Sequence, residues 1–350
     1  MTKYLGKEVG PIGYGLMSTS LLLPLLPSLT ASTAALTWFS NHTTEHAIEC
    51  MKAALDAGAN VWNGGEFYGT PEHNSLHIVK AYFTKYPEDA PRVVLSIKGC
   101  LADAGLPTSR PDSSPEGIRR SVDYCLDILQ GTKSIDVFQP ARRDKNTPLE
   151  VSMKALKALV DEGKIGAIGL SEVSAATIRE AAQYARIDGG VEVEYSMWFT
   201  EILNNGVAKA CAELDIPIIA YSPLGSGFLT GQFQSYADLP KDDFRHLCPR
   251  FQPDVFDLNL QLVHTVEAFA ARKGATPAQI ALAWVAAQSG KHGLPTIIPI
   301  PGSTNVRRVR ENSTLVKLTD EEMEEIDEFL RKFEPKGDRV PEHMAQLAWG

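Results

Sequence analysis

Short apolar, β-branched runs alternate with longer segments of helical period along most of this 350-residue chain. The runs predict strands buried on both faces, because parallel strands covered by helices are continuously apolar. Seven of them lie at Val61–Asn63, Val93–Lys98, Ile135–Gln139, Ile165–Ser171, Val191–Tyr195, Ile218–Tyr221 and Thr296–Ile300. A weaker run, Ile12–Gly15, is the candidate for an eighth strand at the front.

Helices are predicted between these strands. They cover His46–Ala57, Asn74–Tyr86, Pro115–Gln130, Leu149–Glu162, Ala175–Ala185, Asn204–Leu214 and Pro277–Gln288. Eight strand–helix units in roughly 300 residues predict an α/β fold in one domain, a (β/α)₈ or TIM barrel. A doubly wound open sheet is the alternative.

Four further segments interrupt this alternation. Residues Gly225–Asp257 are predicted to form a long loop after strand seven, and Thr319–Phe333 an extra helix after the barrel, followed by a tail over residues 334–350. Residues Ser18–Leu36 are low in charge, contain two prolines and are predicted to be a loop insertion. In a barrel, long loops after strands line the active-site face.

Composition excludes several classes of function. The net charge of −9 argues against a nucleic-acid or anionic-membrane partner. The apolar run Leu21–Pro27 is too short to span a bilayer and contains two prolines. Five cysteines, an odd number without a CxxC pair, indicate free thiols in a reducing compartment. We therefore expect a cytoplasmic protein.

One motif suggests a metal site. His42–His46 matches the H-x-x-E-H pattern of zinc proteases. Because it stands at the start of the first predicted barrel helix, we interpret it as polar residues at a helix entry, with no metal.

Three segments lie at the ends of strands two, three and four: Val61–Gly69, Val93–Gly99 and Ile135–Gln139. They resemble the catalytic segments of the aldo-keto reductases, and the resemblance extends over nearly the whole chain. It implies that Tyr68 donates a proton to the substrate carbonyl and that Lys98 activates it. A nearby ammonium makes a phenol a better acid, since it favours phenolate. Taken singly, either residue is interpreted as packing or surface charge.

The chain departs from the family pattern at two positions. Asn63, which we keep in the catalytic set, stands where the family has an Asp, and Ala141 stands where it has a His. An Asn cannot provide the counter-charge of Lys98, so Glu66 is a candidate to replace the carboxylate.

The same resemblance implies a nicotinamide cofactor. Ser171 and Glu172 end strand five at positions that hydrogen-bond the nicotinamide carboxamide, and Glu192 on strand six joins this set. Tyr221 matches an aromatic residue that stacks on the nicotinamide ring. The backbone that follows, with Ser222, Leu224 and Gly225, approaches the pyrophosphate.

The segment after strand eight carries the strongest cofactor signal. It opens a helix, as anion sites often do, and resembles the family segment for the adenosine 2′-phosphate and adenine. Ser303 and Arg308 are expected to bind the phosphate, and Glu311 and Asn312 the adenine. The implied cofactor is NADPH.

A finer resemblance is to the fungal pyridoxal reductase branch. The similar segments are Tyr14–Met17, Asn63–Tyr68, Leu95–Gly99 and Val191–Ser196. The implied reaction, a step of vitamin B6 metabolism, is the NADPH-dependent reduction of an aldehyde, pyridoxal, to pyridoxine.

Two alternatives stay open. In the first, the protein reduces other aldehydes or ketones. In the second, it is an NADPH-binding regulatory subunit with slow turnover, as the potassium-channel β-subunits of this family are. For pyridoxal, Trp62 or Trp198 would lie near the ring substituents, although both are equally interpreted as packing residues. Arg142 or Arg143 would admit a phosphorylated substrate. The sequence does not fix the oligomeric state.

Overall fold

Eight parallel strands form a barrel in the computed structural model, which describes residues 2–17, 43–103, 109–241, 243–341, 345 and 348–350. The predicted insertion Ser18–Leu36 lies outside these residues. The strands are β1 (Tyr14–Gly15), β2 (Val61–Gly65), β3 (Val94–Gly99), β4 (Ile135–Pro140), β5 (Ile165–Ile168 and Leu170–Ser171), β6 (Val191–Glu194), β7 (Ile218–Tyr221) and β8 (Ile297–Pro299).

Each strand pairs in parallel with the next. Strand β5, predicted as one run, is interrupted at Gly169: its first part pairs with β4 and its second with β6. The amides of Gly13 and Gly15 donate to the carbonyls of Pro299 and Pro301, at 2.8 and 3.1 Å. These bonds join β1 to the last strand, so the sheet is a closed barrel and not an open one.

The described residues contain ten α-helices, most of which follow the strands around the barrel. They are α1 (Thr44–Asp56), α2 (Ser75–Lys85), α3 (Pro115–Leu129), α4 (Leu149–Asp161), α5 (Ala175–Ala181), α6 (Val207–Glu213), α7 (Pro253–Lys273), α8 (Pro277–Ala287), α9 (Val306–Ser313) and α10 (Asp320–Lys332). None of them is long and apolar enough to cross a membrane.

The loop after strand seven is shorter than predicted. Helix α7 begins at Pro253, inside the predicted Gly225–Asp257 loop, and its 21 residues were missing from the predicted helices. Proline suits the first turn of a helix because its missing N–H has no partner there in any case. Phe256, Leu260 and Val263 are buried and attach the helix to the core. Short 3₁₀ turns occupy much of residues 228–251.

Alternation along the strands divides the barrel interior into layers. Residues at the amino-terminal end form an apolar cluster of Val61, Val94, Val137, Ala167, Ile219 and Ile298. A hairpin of Thr2–Tyr4 and Lys7–Val9 packs against this cluster. Side chains two residues apart in a strand share a face, so positions further along the strands also point inward. These later positions are polar. This polar layer contains Asn63, Lys98, Gln139 and Glu192.

Candidate active site

A cavity of about 950 Å³ opens at the carboxyl ends of the strands. It brings together most of the predicted catalytic and cofactor-binding residues, while Ser171 and the candidates Glu66, Trp62 and Arg143 lie outside its lining. Those that line it are Asn63, Tyr68, Lys98, Glu172, Glu192, Tyr221, Ser222, Leu224, Gly225, Ser303, Arg308, Glu311 and Asn312.

Tyr68 and Lys98 are both buried and lie side by side. The positive charge of the Lys98 ammonium acts directly on the Tyr68 hydroxyl. Burial raises the pKa of Tyr68, and the charge of Lys98 opposes the rise without cancelling it. The phenol is therefore protonated at neutral pH, as a proton donor must be, while the ammonium stabilises the phenolate left after transfer.

The counter-charge of Lys98 is the carboxylate of Glu192, which was predicted to bind the cofactor. Lys98 Nζ lies 2.5 Å from Glu192 Oε1, and both side chains are buried. The other carboxylate oxygen, Oε2, accepts from Asn63 Nδ2 at 2.7 Å and from Gln139 Nε2 at 2.6 Å. Burial by itself lowers the pKa of Lys98, but Glu192 and Tyr68 outweigh it and the pKa lies above its ordinary value.

The prediction for Glu66 is wrong. Its carboxylate accepts from the Ser121 hydroxyl at 2.7 Å and the Leu101 amide at 3.2 Å. The β2 backbone turns after Gly65, and Glu66 leaves the barrel interior for the space beside helix α3. It is therefore a structural carboxylate and not the partner of Lys98.

The position of the missing His is small and apolar. Ala141 packs with Phe67 and Tyr68, and its amide donates to Gly99 O at 2.8 Å. The neighbouring Arg142 lines the cavity, and its charge acts to lower the pKa of Tyr68. Arg143 lies outside the lining and donates to Thr147 O at 2.8 Å.

On the nicotinamide side, Glu172 is already occupied by protein groups. Its carboxylate accepts from Tyr221 Oη at 2.8 Å and pairs with Arg339 at 2.6 Å. Lys98 Nζ lies 5.2 Å from the centre of the Tyr221 ring, so this ring borders the Tyr68–Lys98 pair. Ser171 Oγ is buried without a hydrogen-bond partner in the described part of the chain, beside a small separate cavity.

The turn after β7 is left-handed at several positions, and two of its amides, those of Gly225 and Gly227, donate to Ser222 O and Leu224 O. Ser222, Gly225, Ser226 and Gly227 all have positive φ, between 47° and 86°. A Cβ atom added at Gly225 would lie 3.0 Å from the Trp198 ring, so a larger residue would crowd this wall. Left-handed turns of this kind gather backbone N–H groups around an anion.

Beyond this turn lies the predicted phosphate site. Ser303 and Arg308 line the cavity, and Arg308 Nη1 lies 3.4 Å from Gln232 Oε1. The Asn305 side chain accepts from the amides of Arg307 and Arg308 and so caps helix α9. A phosphate at this end would therefore contact the Arg308 guanidinium and the Ser303 hydroxyl more than those amides.

Several polar residues in or beside the cavity were not among the predicted site residues, including Gln139, Glu194, Arg250 and Arg339. Glu194 follows Glu192 by two residues on β6, so strand alternation turns both side chains inward. Gln139 on β4 also faces inward and donates to Glu192. Arg250 and Arg339 lie in a loop and in the tail, where no periodicity locates them. The tail also contributes Val340, Pro341 and Ala348 to the lining.

The two tryptophans have different roles. Trp62 is fully buried on the outside of β2, where its ring packs against Tyr82 and Phe83, so of the two interpretations it is a packing residue and not a substrate contact. Trp198 lines the cavity and stacks on Phe228 with ring centres 4.2 Å apart.

Residues 43–46 of the zinc-protease pattern form the start of a helix, as predicted. The Thr43 side chain accepts from the His46 amide and caps helix α1. His42 lies outside the described residues.

Comparison with known proteins identifies the family. The model of the aldo/keto reductase family matches residues 31–331. The chain belongs to the aldo/keto reductase family. This aldo-keto reductase is 40% identical over 349 residues to the Schizosaccharomyces pombe protein named "Probable pyridoxal reductase 2", covering 97% of each chain. It is 38% identical over 293 residues to aldo-keto reductase yakc of the same organism, whose name carries NADP(+), covering 82% of this chain and 83% of the other.

A solved structure supports the fold. The glycerol dehydrogenase of Gluconobacter oxydans superposes with a TM-score of 0.74 at 24% identity, covering 92% of this chain and 98% of that one. This aldo-keto reductase is thus a TIM-barrel oxidoreductase for small carbonyl substrates, in a family that generally uses NAD(P)H.

Proposed function

We propose that this aldo-keto reductase catalyses the NADPH-dependent reduction of pyridoxal to pyridoxine. The observation that carries the proposal is the buried Tyr68–Lys98 pair at one wall of the large cavity. The choice of pyridoxal is supported by the 40% identity, over nearly the whole of both chains, to the protein named pyridoxal reductase 2.

The chemistry divides between cofactor and protein. When bound, NADPH would supply the hydride that the aldehyde carbon accepts. Tyr68 places its hydroxyl proton on the aldehyde oxygen, and Lys98 stabilises the phenolate that remains. One hydride and one proton convert the aldehyde to a primary alcohol, and a proton from solvent restores the Tyr68 phenol.

The residues at the mouth fit a dinucleotide with a 2′-phosphate. Tyr221 would border the nicotinamide, since its ring lines the cavity beside Lys98. The turn at Ser222–Gly227 suits the pyrophosphate. Arg308 and Ser303 would bind the 2′-phosphate, since a guanidinium matches phosphate geometry and gives charge-assisted hydrogen bonds.

The substrate region suits a flat aromatic aldehyde. Ala141 leaves room beside Tyr68 that a His would fill, and Trp198 provides an aromatic wall. Arg142 adds a cation to the same wall, and pyridoxal carries a phenolic oxygen that such a cation would attract.

We also infer a cytoplasmic location. All five cysteines are buried and free, which suits a reducing compartment.

The proposal is tested by incubating the purified protein with NADPH and pyridoxal. We expect loss of NADPH absorbance and the formation of one pyridoxine, identified by chromatography, for each NADPH consumed. Absence of pyridoxine would contradict the proposal, and turnover of other aldehydes in the same assay would then leave only the broader reductase activity. Tight NADPH binding with negligible turnover of every aldehyde would favour a regulatory subunit.

A further inference from the structure

The polar layer of the barrel holds a buried cation whose expected counter-ion is missing. Lys98 lies at the end of β3, and only 7% of its side-chain surface is exposed. Asn63, at the position of the family's Asp, is a neutral amide. An unpaired ammonium at this depth would tend to lose its proton, because desolvation disfavours the charged form.

Glu192 occupies the place of that counter-ion from another strand. It reaches Lys98 from β6, across the barrel interior, with a contact of 2.5 Å. Its second oxygen accepts from the amides of Asn63 and Gln139, so the whole carboxylate is engaged in the polar layer. Such a set of hydrogen bonds is what stabilises a buried ion pair.

The other carboxylates near the cavity have different partners. Glu172 pairs with Arg339, and Glu194 lies 3.5 Å from the same guanidinium. Glu66 bonds to Ser121. Within the described ranges, the contact between Glu192 and Lys98 is thus the ion pair that neutralises the lysine.

We propose that Glu192 is a positioning residue for catalysis: it replaces the family's β2 carboxylate from β6 and keeps Lys98 charged and directed at Tyr68. The Asn63 side chain then serves to hold the relocated carboxylate. The proposal departs from our expectation that Glu192 belongs to the cofactor set. It rests on the proposed reductase chemistry for its kinetic readout, but not on the identity of the aldehyde.

The direction of the expected pH effect follows from the groups that face the pair. Lys98 is acted on by Glu192, Tyr68 and Arg142, and Tyr68 by Lys98, Glu192 and Arg142. Glu192 raises the pKa of both Lys98 and Tyr68. Without it, the Tyr68–Lys98 pair loses its first proton at lower pH, whichever of the two groups releases it, so the alkaline limb of the kcat profile moves to lower pH.

The test compares wild type, Glu192→Gln and the double variant Asn63→Asp/Glu192→Gln. The Gln variant keeps the shape and removes the charge, and we expect kcat to fall about tenfold or more, part of the roughly 10²–10⁴ that general acid catalysis contributes. The double variant returns a carboxylate to β2 and should recover most of kcat and the wild-type alkaline limb. Glu66→Gln, a buried carboxylate outside the pair, is the matched control and should leave the pH profile unchanged.

Melting temperature provides a readout that needs no substrate. It should fall in Glu192→Gln, which buries an unpaired Lys98, and recover in the double variant. Inactive wild-type protein would contradict the proposed function, while the melting pattern would still test the ion pair. The inference is overturned if the double variant stays as impaired as Glu192→Gln in melting temperature and turnover. It is also overturned if Glu192→Gln is active with an unshifted profile.

Discussion

Arg339 in the C-terminal tail forms an ion pair of 2.6 Å with Glu172, which lies 167 residues earlier at the end of β5. Both side chains are largely buried, and the guanidinium also lies 4.8 Å from the centre of the Phe199 ring. The terminal Gly350 amide donates to Glu172 O at 3.1 Å. Arg339 and Gly350 of the tail thus both contact Glu172, a residue predicted to contact the nicotinamide.

Arg339→Ala should destabilise the protein by about 3–5 kcal/mol at neutral pH, since it leaves a buried carboxylate without its cation. Burial raises the pKa of Glu172, but Arg339 outweighs it and the pKa lies below its ordinary value. The contribution of this pair is therefore complete above pH ~4.3 and is lost as the pH falls through the lower folded-state pKa.

The free energy of unfolding of the wild type and of Arg339→Ala should be measured from pH 7 downwards. The difference between the two values should shrink in acid. Arg179→Ala, which breaks the exposed pair with Glu213, is the control and should change little. A difference that is small at pH 7, or that grows in acid, would contradict this account of the tail.

Tyr68→Phe should lower kcat by about 10²–10⁴, because it removes the proton donor and little else. NADPH affinity, measured by quenching of protein fluorescence, should barely change. Tyr195→Phe is a suitable control, since Tyr195 is equally buried but lies against Trp284, outside the cavity lining. Near-normal turnover of the Tyr68 variant would remove Tyr68 from the mechanism.

The Tyr68–Lys98 pair and the barrel were predictable because both depend on strand order. A (β/α)₈ rhythm places the ends of consecutive strands at one face, so residues at those ends meet whatever their spacing in the sequence. The Lys98–Glu192 pair was not predicted, although Glu192 and Glu194 on a buried strand both had to face the barrel interior. Which side chains meet across that interior depends on the stagger of the strands, and the sequence does not state it.

The tail and helix α7 were harder to predict for a different reason. Arg339 lies in a segment without strand or helical period, so only the folded chain brings it to Glu172. Helix α7 follows a long loop directly and breaks the one-helix-per-strand rhythm on which the prediction relied.

Arg308→Ala should weaken NADPH binding by about 1.5–3 kcal/mol, the range for a hydrogen bond to a charged group. NADH lacks the 2′-phosphate, so its affinity should stay nearly the same. Fluorescence titration with both cofactors measures the difference. Arg310→Ala, an exposed cation on the same helix outside the cavity lining, controls for net charge. Equal losses for both cofactors would exclude Arg308 as the phosphate ligand.

Ala141→His should lower kcat/KM for pyridoxal by about tenfold or more, since it fills the space beside Tyr68 that a bulky ring would use. Propionaldehyde is small enough to escape this effect. Ala141→Ser, which adds a polar atom with little volume, serves as the control. If the His variant reduced pyridoxal as well as the wild type does, the ring would bind elsewhere.

We propose that pyridoxal is the preferred substrate of this aldo-keto reductase. This claim is tested most directly by the kcat/KM for pyridoxal with NADPH, measured beside 4-nitrobenzaldehyde, a simple sugar aldehyde and a ketosteroid. We predict that kcat/KM is clearly highest for pyridoxal, and that Tyr68→Phe abolishes turnover of all four. A value for pyridoxal no higher than those of the other substrates would contradict the claim.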